Sequence, residues 1–246
     1  MAKKQFKIHL PDYLTVDMFK KISTYEGDEV GKIVNIIGAM IGLDEKTVKK
    51  YPLDLLRQVS SDLEKLSLPG ETFNALVEFN GTLYGYSDIH NMNLGAFVDM
   101  EEYCKDVYNN LEKIASLLYR PVTKNRFNSL EFQIKQGIRV GFEKGIENPF
   151  DYYTIEEYDS DIAKERWNEM KDFPSHILLG ALSFFLAAAS LYLTNTAYLN
   201  KTMSTKMRQN LDSMVLQSLS QITGVGGQQS TVYLNPVSYK SPEITV

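Results

Sequence analysis

The sequence is poor in the residues that form disulfides and metal sites. Its 246 residues include a single cysteine, Cys104, and three histidines, His9, His90 and His176. One cysteine excludes a disulfide within the chain and is typical of a reducing compartment. The histidines lie far apart in the sequence, so no two of them have the spacing of metal ligands. We therefore expect no metal ion and no cofactor.

Short motifs of the common enzyme sites are also missing. There is no Gly-x-x-x-x-Gly-Lys-Ser/Thr phosphate loop, no Gly-x-Ser-x-Gly nucleophile turn and no His-Glu-x-x-His zinc motif. The glycine-rich run GVGG at 224–227 neither follows a predicted strand nor begins a predicted helix, so it is weak evidence for a dinucleotide site. Without a converging acid–base set, the sequence favours a protein that is not an enzyme.

Three weaker candidates for chemistry remain. Asp88 and His90 could form a base with its orienting acid, although a loop histidine is the simpler interpretation. Asp159 and Asp161 are spaced as in some metal loops, but a helix cap at Asp159 explains the pair better. Cys104 lies between acidic residues in MEEYCKDVY, which would raise the pKa of its thiol and make it a poor nucleophile. We expect Cys104 to be a packed core thiol.

Basic residues are outnumbered. The chain has 26 Lys and Arg against 31 Asp and Glu, for a net charge of −5. Because phosphate binding needs a local surplus of basic residues, this argues against nucleic acid as the main partner, and we expect no direct sequence-specific contact with it. The acids are concentrated at 143–172, where ten acidic residues face four basic ones. A hydrophobic fraction of 43% is ordinary for a globular protein.

One long stretch has no charged residue at all. It runs from Ser175 to Asn200, and its centre, HILLGALSFFLAAASLYLT, is long enough to cross the hydrocarbon core of a membrane as a helix. Polar residues such as Ser183 and Ser190, and flanks without an orienting basic cluster, argue against a span. We therefore favour a buried central helix, and keep a membrane-inserting segment at 175–200 as the alternative.

Turn and cap residues predict how the rest is organised. Asn80-Gly81 lies between two alternating runs and predicts a β-hairpin, because both residue types tolerate positive φ in a type I′ turn. Apolar residues at helical spacing predict helices that begin at caps such as Thr15 and Asn93, with Gly42 ending another. We expect one continuous helix over LGAFVDMEEYCKDVYNNL and a short strand at residues 5–10 that joins the hairpin.

These elements predict an α+β fold that is predominantly α-helical: a helical bundle with a small antiparallel β-hairpin or sheet and an extended C-terminal arm. The expected divisions are an α+β N-terminal domain at 1–122, a helical second domain at 123–223 with the buried apolar helix, and the arm at 224–246. The arm is extended by composition, and such an arm can add a strand to another subunit. The arm side chains that we expect to contact a partner are Val232, Tyr233, Leu234, Val237, Tyr239 and Ile244.

The order of several segments resembles a known group of proteins. LTVDMFKKIS, FNGTLYGYSDIHNMNLGAFVDMEEYCKD and LEKIASLLYRPV are similar to segments of tail-assembly-chaperone-like and virion structural proteins of tailed bacteriophages, including those of crAss-like phages. The resemblance covers 6–122 well and 158–200 loosely. It implies no catalytic residues.

What the resemblance implies is a non-enzymatic structural or assembly protein of the tail or neck of the virion. Such a protein acts through protein–protein contacts with other phage structural proteins in a multi-copy assembly. Its expected location is the virion, and the host cytoplasm before assembly. The alternative within the same family is a tail-assembly chaperone that is absent from the mature particle.

Overall fold

The computed structural model describes residues 11–54, 56, 59, 72–89, 92–126, 129, 149–195, 231–233 and 237–240. Within these residues the chain forms an α+β fold of seven α-helices and seven strands. The helices are α1 (Val16–Ser23), α2 (Glu29–Ile41), α3 (Glu45–Val48), α4 (Leu94–Tyr103), α5 (Leu111–Leu118), α6 (Ser160–Met170) and α7 (Ser175–Asn195). The strands are β1 (Thr72–Asn74), β2 (Leu76–Phe79), β3 (Thr82–Tyr86), β4 (Tyr119–Asn125), β5 (Tyr153–Ile155), β6 (Thr231–Tyr233) and β7 (Val237–Tyr239).

The predicted hairpin is confirmed. Asn80 and Gly81 both have positive φ, 49° and 80°, as a type I′ turn requires. The turn joins β2 to β3 in antiparallel register, with Val77 opposite Tyr84. Glu78 is the one exposed residue of β2, while the other three are buried. The alternation therefore places one face of the hairpin in the core.

The sheet that contains the hairpin is mixed. Five strands lie in the order β5-β4-β3-β2-β7, and β7 is parallel to β2 while the other pairs are antiparallel. A second parallel pair joins β1 to β6. The expectation of a small antiparallel sheet is therefore too narrow. Parallel strands need a long connection, so no local turn signal could have revealed these pairs. The strand predicted at 5–10 lies outside the described residues.

Side-chain caps begin the helices where the sequence predicts them. Thr15 accepts from the Met18 amide at 3.2 Å, and Asn93 accepts from the Ala96 amide at 2.9 Å. Gly42 ends α2 in the left-handed conformation, with φ of 67°. Each cap satisfies a backbone group that the first or last turn leaves unpaired.

One helix prediction was wrong in its extent. The helix expected over residues 94–111 ends at Tyr103, and 3-10 turns follow at 104–106 and 108–110. The side-chain amide of Asn110 donates to the carbonyl oxygens of Tyr103 and Asp106, at 3.2 Å and 2.9 Å. Asparagine side chains compete in this way with the backbone hydrogen bonds of a helix, and α5 begins directly after the second 3-10 turn, at Leu111.

The main core lies between the hairpin, β4, α5 and α7. Phe173, fully buried just before α7, has its ring 5.4 Å from that of Phe79 and 5.1 Å from that of Tyr119. Phe184 of α7 stacks on Phe73 of β1 at 4.5 Å. A second buried cluster lies between α1, α2 and α3. Helix α1 contributes to both, since Val16 belongs to the first cluster and Met18 to the second.

Over its described part, Ser175–Asn195, the uncharged stretch is helical and packs into the main core, as we favoured. Along α7 its buried side chains are Ile177, Leu178, Ala181, Leu182, Phe185, Leu186 and Ala189. No helix among the described residues combines the length and the hydropathy that a membrane crossing requires. The boundary expected at residue 122 falls inside β4, and the main core draws on side chains from both sides of it.

Candidate arm-docking site

The C-terminal arm extends the sheet by pairing with the edge of β2 that faces away from β3. Strand β7 runs parallel to β2, and the paired Cα positions are Val77 with Val237, Glu78 with Ser238 and Phe79 with Tyr239. The amide of Asn80 donates to the carbonyl oxygen of Tyr239 at 3.1 Å. The arm is thus held in part by main-chain hydrogen bonds, which any extended segment could make.

Tyr239 is the side chain of β7 that enters the molecule. Its ring meets Tyr13 edge to face, with centroids 5.3 Å apart, and lies 5.6 Å from the ring of His176. Its hydroxyl is 3.0 Å from His176 Nε2. The Tyr13 hydroxyl donates to the carbonyl oxygen of the next arm residue, Lys240, at 2.6 Å. We call the edge of β2 together with Tyr13 and His176 the arm-docking site.

The docking contact is neutral at its centre and polar at its rim. Burial lowers the pKa of His176 and raises the pKa of both Tyr13 and Tyr239. All three side chains are therefore uncharged at neutral pH. At the rim, Ser238 donates to Glu78 Oε2 at 2.8 Å, and both residues are exposed.

No protein-family model, curated protein or solved structure matches the chain. What the arm-docking site does must therefore follow from its contacts. Main-chain hydrogen bonds to an edge strand give affinity, and a pocket for one side chain gives specificity. This is the arrangement by which proteins recognise extended peptides.

Four of the six predicted contact residues lie on the two arm strands. Val237 and Tyr239 lie on β7, where Val237 is 37% exposed and Tyr239 is half-buried. Val232 and Tyr233 lie on β6, which pairs with β1 of the same chain. Leu234 and Ile244 lie outside the described residues. The arm strands are docked on their own chain, and contact with a partner stays a prediction.

Sequence reasoning missed the receiving side of this site. Tyr13, Glu78 and His176 are separated along the chain and share no motif. The sequence analysis considers His176 only as a possible metal ligand, and no sequence pattern marks Tyr13. The alternation of β2 shows that Glu78 points away from the core, but nothing local shows that a strand from 160 residues later lies beside it.

In the part of the chain that the structure describes, the candidates for chemistry do not form a common site. Asp88 is buried after β3, and His90 lies outside the described residues. Asp159 caps α6 as predicted, and Asp161 pairs with Lys164 at 2.8 Å. Among the described residues, no group of His, Cys, Asp and Glu could hold a metal ion.

Cys104 has a raised pKa, but the predicted cause was wrong. Burial raises the pKa of its thiol to about 12, and no neighbouring acid contributes to the shift. A thiol with this pKa is protonated at neutral pH, and the thiolate is the nucleophilic form. Cys104 packs against the main core, as we expected.

A buried arginine connects three strands at the opposite side of the sheet. Arg120 of β4, only 4% exposed, donates to Ser87 Oγ at 2.5 Å and to the carbonyl oxygen of Glu156 at 2.8 Å. Burial lowers its pKa to about 10, so the guanidinium stays charged at neutral pH. The Glu156 carboxylate pairs with Arg166 of α6 at 2.6 Å. This network explains the arginine in LLYRP as a structural residue.

Proposed function

We propose that the chain is a non-enzymatic structural or assembly protein of a bacteriophage, located in the tail or neck of the virion, that acts through contacts between protein subunits. The phage assignment rests on the sequence resemblance. The mode of action rests on the arm-docking site, where an edge strand receives an extended segment and one aromatic side chain. That geometry suits the binding of a peptide segment by strand addition.

Exposed apolar side chains support the same mode of action. Leu94 and Val98, four residues apart on α4, are 79% and 52% exposed. Ile162, on the first turn of α6, is 40% exposed. Residues at this spacing share one face of a helix, and contiguous exposed apolar surface is typical of contact sites between proteins. We assign Leu94 and Val98 to a subunit contact.

The test is mass spectrometry of purified particles of the phage that encodes the chain. We expect the protein in a fixed ratio to the major capsid protein, which serves as the internal standard. A protein that is present in infected cells, bound to tail proteins, but missing from particles would be a tail-assembly chaperone instead. Finding it neither in particles nor with phage structural proteins would overturn the proposal.

A surface variant tests the apolar contact within the same experiment. Leu94→Glu with Val98→Glu adds charge to a face that is already exposed, so we expect the chain to fold and its incorporation to fall at least tenfold. The matched control is Leu53→Glu, at another leucine that is 60% exposed. Equal incorporation of the α4 variant and the control would show that the α4 face is not a contact.

A further inference from the structure

We propose that the arm-docking site is an exchange site between copies of this chain: β6 and β7 of one copy occupy the edges of β1 and β2 in a neighbouring copy. The inference rests on the proposed function, because a multi-copy assembly supplies the neighbour. It goes further by naming the partner, the segment exchanged and the surface that receives it.

The length of the connection permits the exchange. Thirty-five residues, 196–230, separate the end of α7 from the start of β6. A chain of that length can span at most about 115 Å, at about 3.3 Å per residue. That is more than twice the diameter of a domain of this size. A fully extended connection of this length would therefore permit docking on a neighbour as well as on its own copy.

The two arm strands must move together. Only three residues, 234–236, lie between β6 and β7. With so short a link, β7 cannot reach another copy while β6 remains paired with β1 of its own. An exchanged arm therefore carries both strands, so that β6 pairs with β1 of the neighbour and β7 pairs with β2 of the neighbour.

The docking of β7 is shallow enough to reverse. Val237, Ser238 and Lys240 are exposed, and Tyr239 is half-buried. The pairing spans three residues of β2. Segments with few buried apolar contacts open with small free energies. The β7 part of the arm can therefore open at small cost while the strand that receives it stays folded.

An emptied site favours a second arm over no arm. Release of β7 leaves the edge of β2 with unpaired backbone groups beside Tyr13 and His176, which have then lost their contacts with Tyr239, and such an edge readily pairs with another strand. The arm of a neighbouring copy makes the same contacts as the original arm, so exchange loses none of them. At the high local concentration of an assembly, the exchanged form becomes the one that links subunits.

A pair of cysteines at the rim distinguishes the two forms. Glu78 and Ser238 are paired, exposed and in contact at 2.8 Å between Oε2 and Oγ. Full-length Glu78→Cys/Ser238→Cys protein, mixed from isotope-labelled and unlabelled batches, is oxidised at increasing concentration and in the assembled particle. We expect labelled-to-unlabelled disulfides that increase with concentration and predominate in the particle. Disulfides found only within single chains, under all conditions, would overturn the exchange.

Two controls accompany this test. Glu78→Cys with Leu83→Cys joins paired residues of one hairpin, so its disulfide has to form within one chain. The single Glu78→Cys and Ser238→Cys variants report any disulfide with Cys104. As a second measurement, light scattering of full-length Tyr239→Ala is expected to show a lower mean mass than wild type at equal concentration. An unchanged mass would contradict the exchange.

The outcomes also separate the exchange from the proposed function. A protein present in particles at a fixed ratio, but cross-linked only within chains, would leave the function standing and overturn the exchange. Cross-links between chains in a protein that never accompanies phage structural proteins would overturn the function and leave the exchange standing.

Discussion

Tyr239 contacts the rest of the chain in two separable ways. Its ring packs on Tyr13, and its hydroxyl is within hydrogen-bond distance of His176. The backbone carbonyl of the same residue accepts from the Asn80 amide. Exchange of that amide proton with solvent therefore reports directly whether the arm is docked.

We predict a graded loss of docking in two variants of Tyr239. Tyr239→Phe removes one hydrogen bond, about 1 kcal/mol, so the Asn80 amide should exchange about fivefold faster by hydrogen–deuterium exchange. Tyr239→Ala also removes the ring contact and should be faster still. The control is Ser238→Ala, which removes only a contact at the exposed rim. If the Asn80 amide of Tyr239→Ala were as well protected from exchange as in wild type, this account of the site would be wrong.

His176 makes stability depend on pH in one direction. Burial lowers its pKa below the ordinary value of 6.5, so below that pH the unfolded chain binds a proton that the folded chain resists. Stability from this group is fully present above about pH 7.5 and decreases as the pH falls through about 6.5, by at most about 1.4 kcal/mol per pH unit.

The measurement for His176 is urea unfolding of wild type and His176→Gln at pH 7.5, 6.5 and 5.5. Glutamine keeps a polar group near the Tyr239 hydroxyl but does not titrate. We expect wild type to lose more stability than the variant between pH 6.5 and 5.5. Between pH 7.5 and 6.5 we expect the two proteins to differ little, because the histidine of the unfolded chain is only beginning to bind a proton. Parallel curves over the whole range would show that the His176 pKa is unshifted.

At the scale of elements, Arg120 connects the end of β3, β4 and the residue that follows β5. Its Nη2 donates to the buried Ser87 hydroxyl, and its Nη1 donates to the backbone carbonyl oxygen of Glu156. Arg120→Met keeps most of the volume but leaves the buried Ser87 hydroxyl and Glu156 carbonyl without these donors. Each such loss costs about 1–3 kcal/mol, so we predict a decrease in unfolding free energy of about 2–4 kcal/mol in urea.

Arg126→Met is the matched control for that prediction. Arg126 is exposed, one residue past the end of β4, and an exposed substitution of this kind changes stability by less than about 0.5 kcal/mol. Equal effects of the two substitutions would mean that the Arg120 hydrogen bonds contribute nothing beyond a surface charge.

The elements also show where local reasoning succeeds. The Asn80-Gly81 turn and the caps at Thr15, Asn93 and Asp159 were predicted from the sequence because each depends on a side chain within three residues of the backbone it satisfies. The helix expected at 94–111 was too long because the Asn110 side chain competes for carbonyls four and seven residues earlier. A pattern of apolar spacing does not register that competition.

At the scale of the whole molecule, Phe173 joins the two sides of the predicted boundary at residue 122. It is fully buried against Phe79 and Tyr84 of the hairpin and Tyr119 of β4. We predict that Phe173→Ala costs about 3–5 kcal/mol, as burial and cavity formation imply. Amides of the β2–β3 hairpin and of α6 should lose protection from hydrogen–deuterium exchange together.

The comparison for this prediction is Leu53→Ala, at a leucine that is 60% exposed. It should leave the protection of both groups of amides unchanged. If Phe173→Ala unprotected α6 while the hairpin kept wild-type protection, the two sides would unfold independently, as the predicted division at 122 requires.

The sequence by itself determined the α+β class, the hairpin, the helix caps and the buried nature of α7, since these depend on periodicity and on contacts between near neighbours. Only the tertiary structure decided that the sheet is mixed, that Arg120 connects three strands, and that Tyr13 and His176 receive Tyr239. The contacts of the arm, including that of Tyr13 with Lys240, join residues up to 227 positions apart. Which distant edge a strand finds depends on the closing of long loops around a shared core, and no local pattern encodes it.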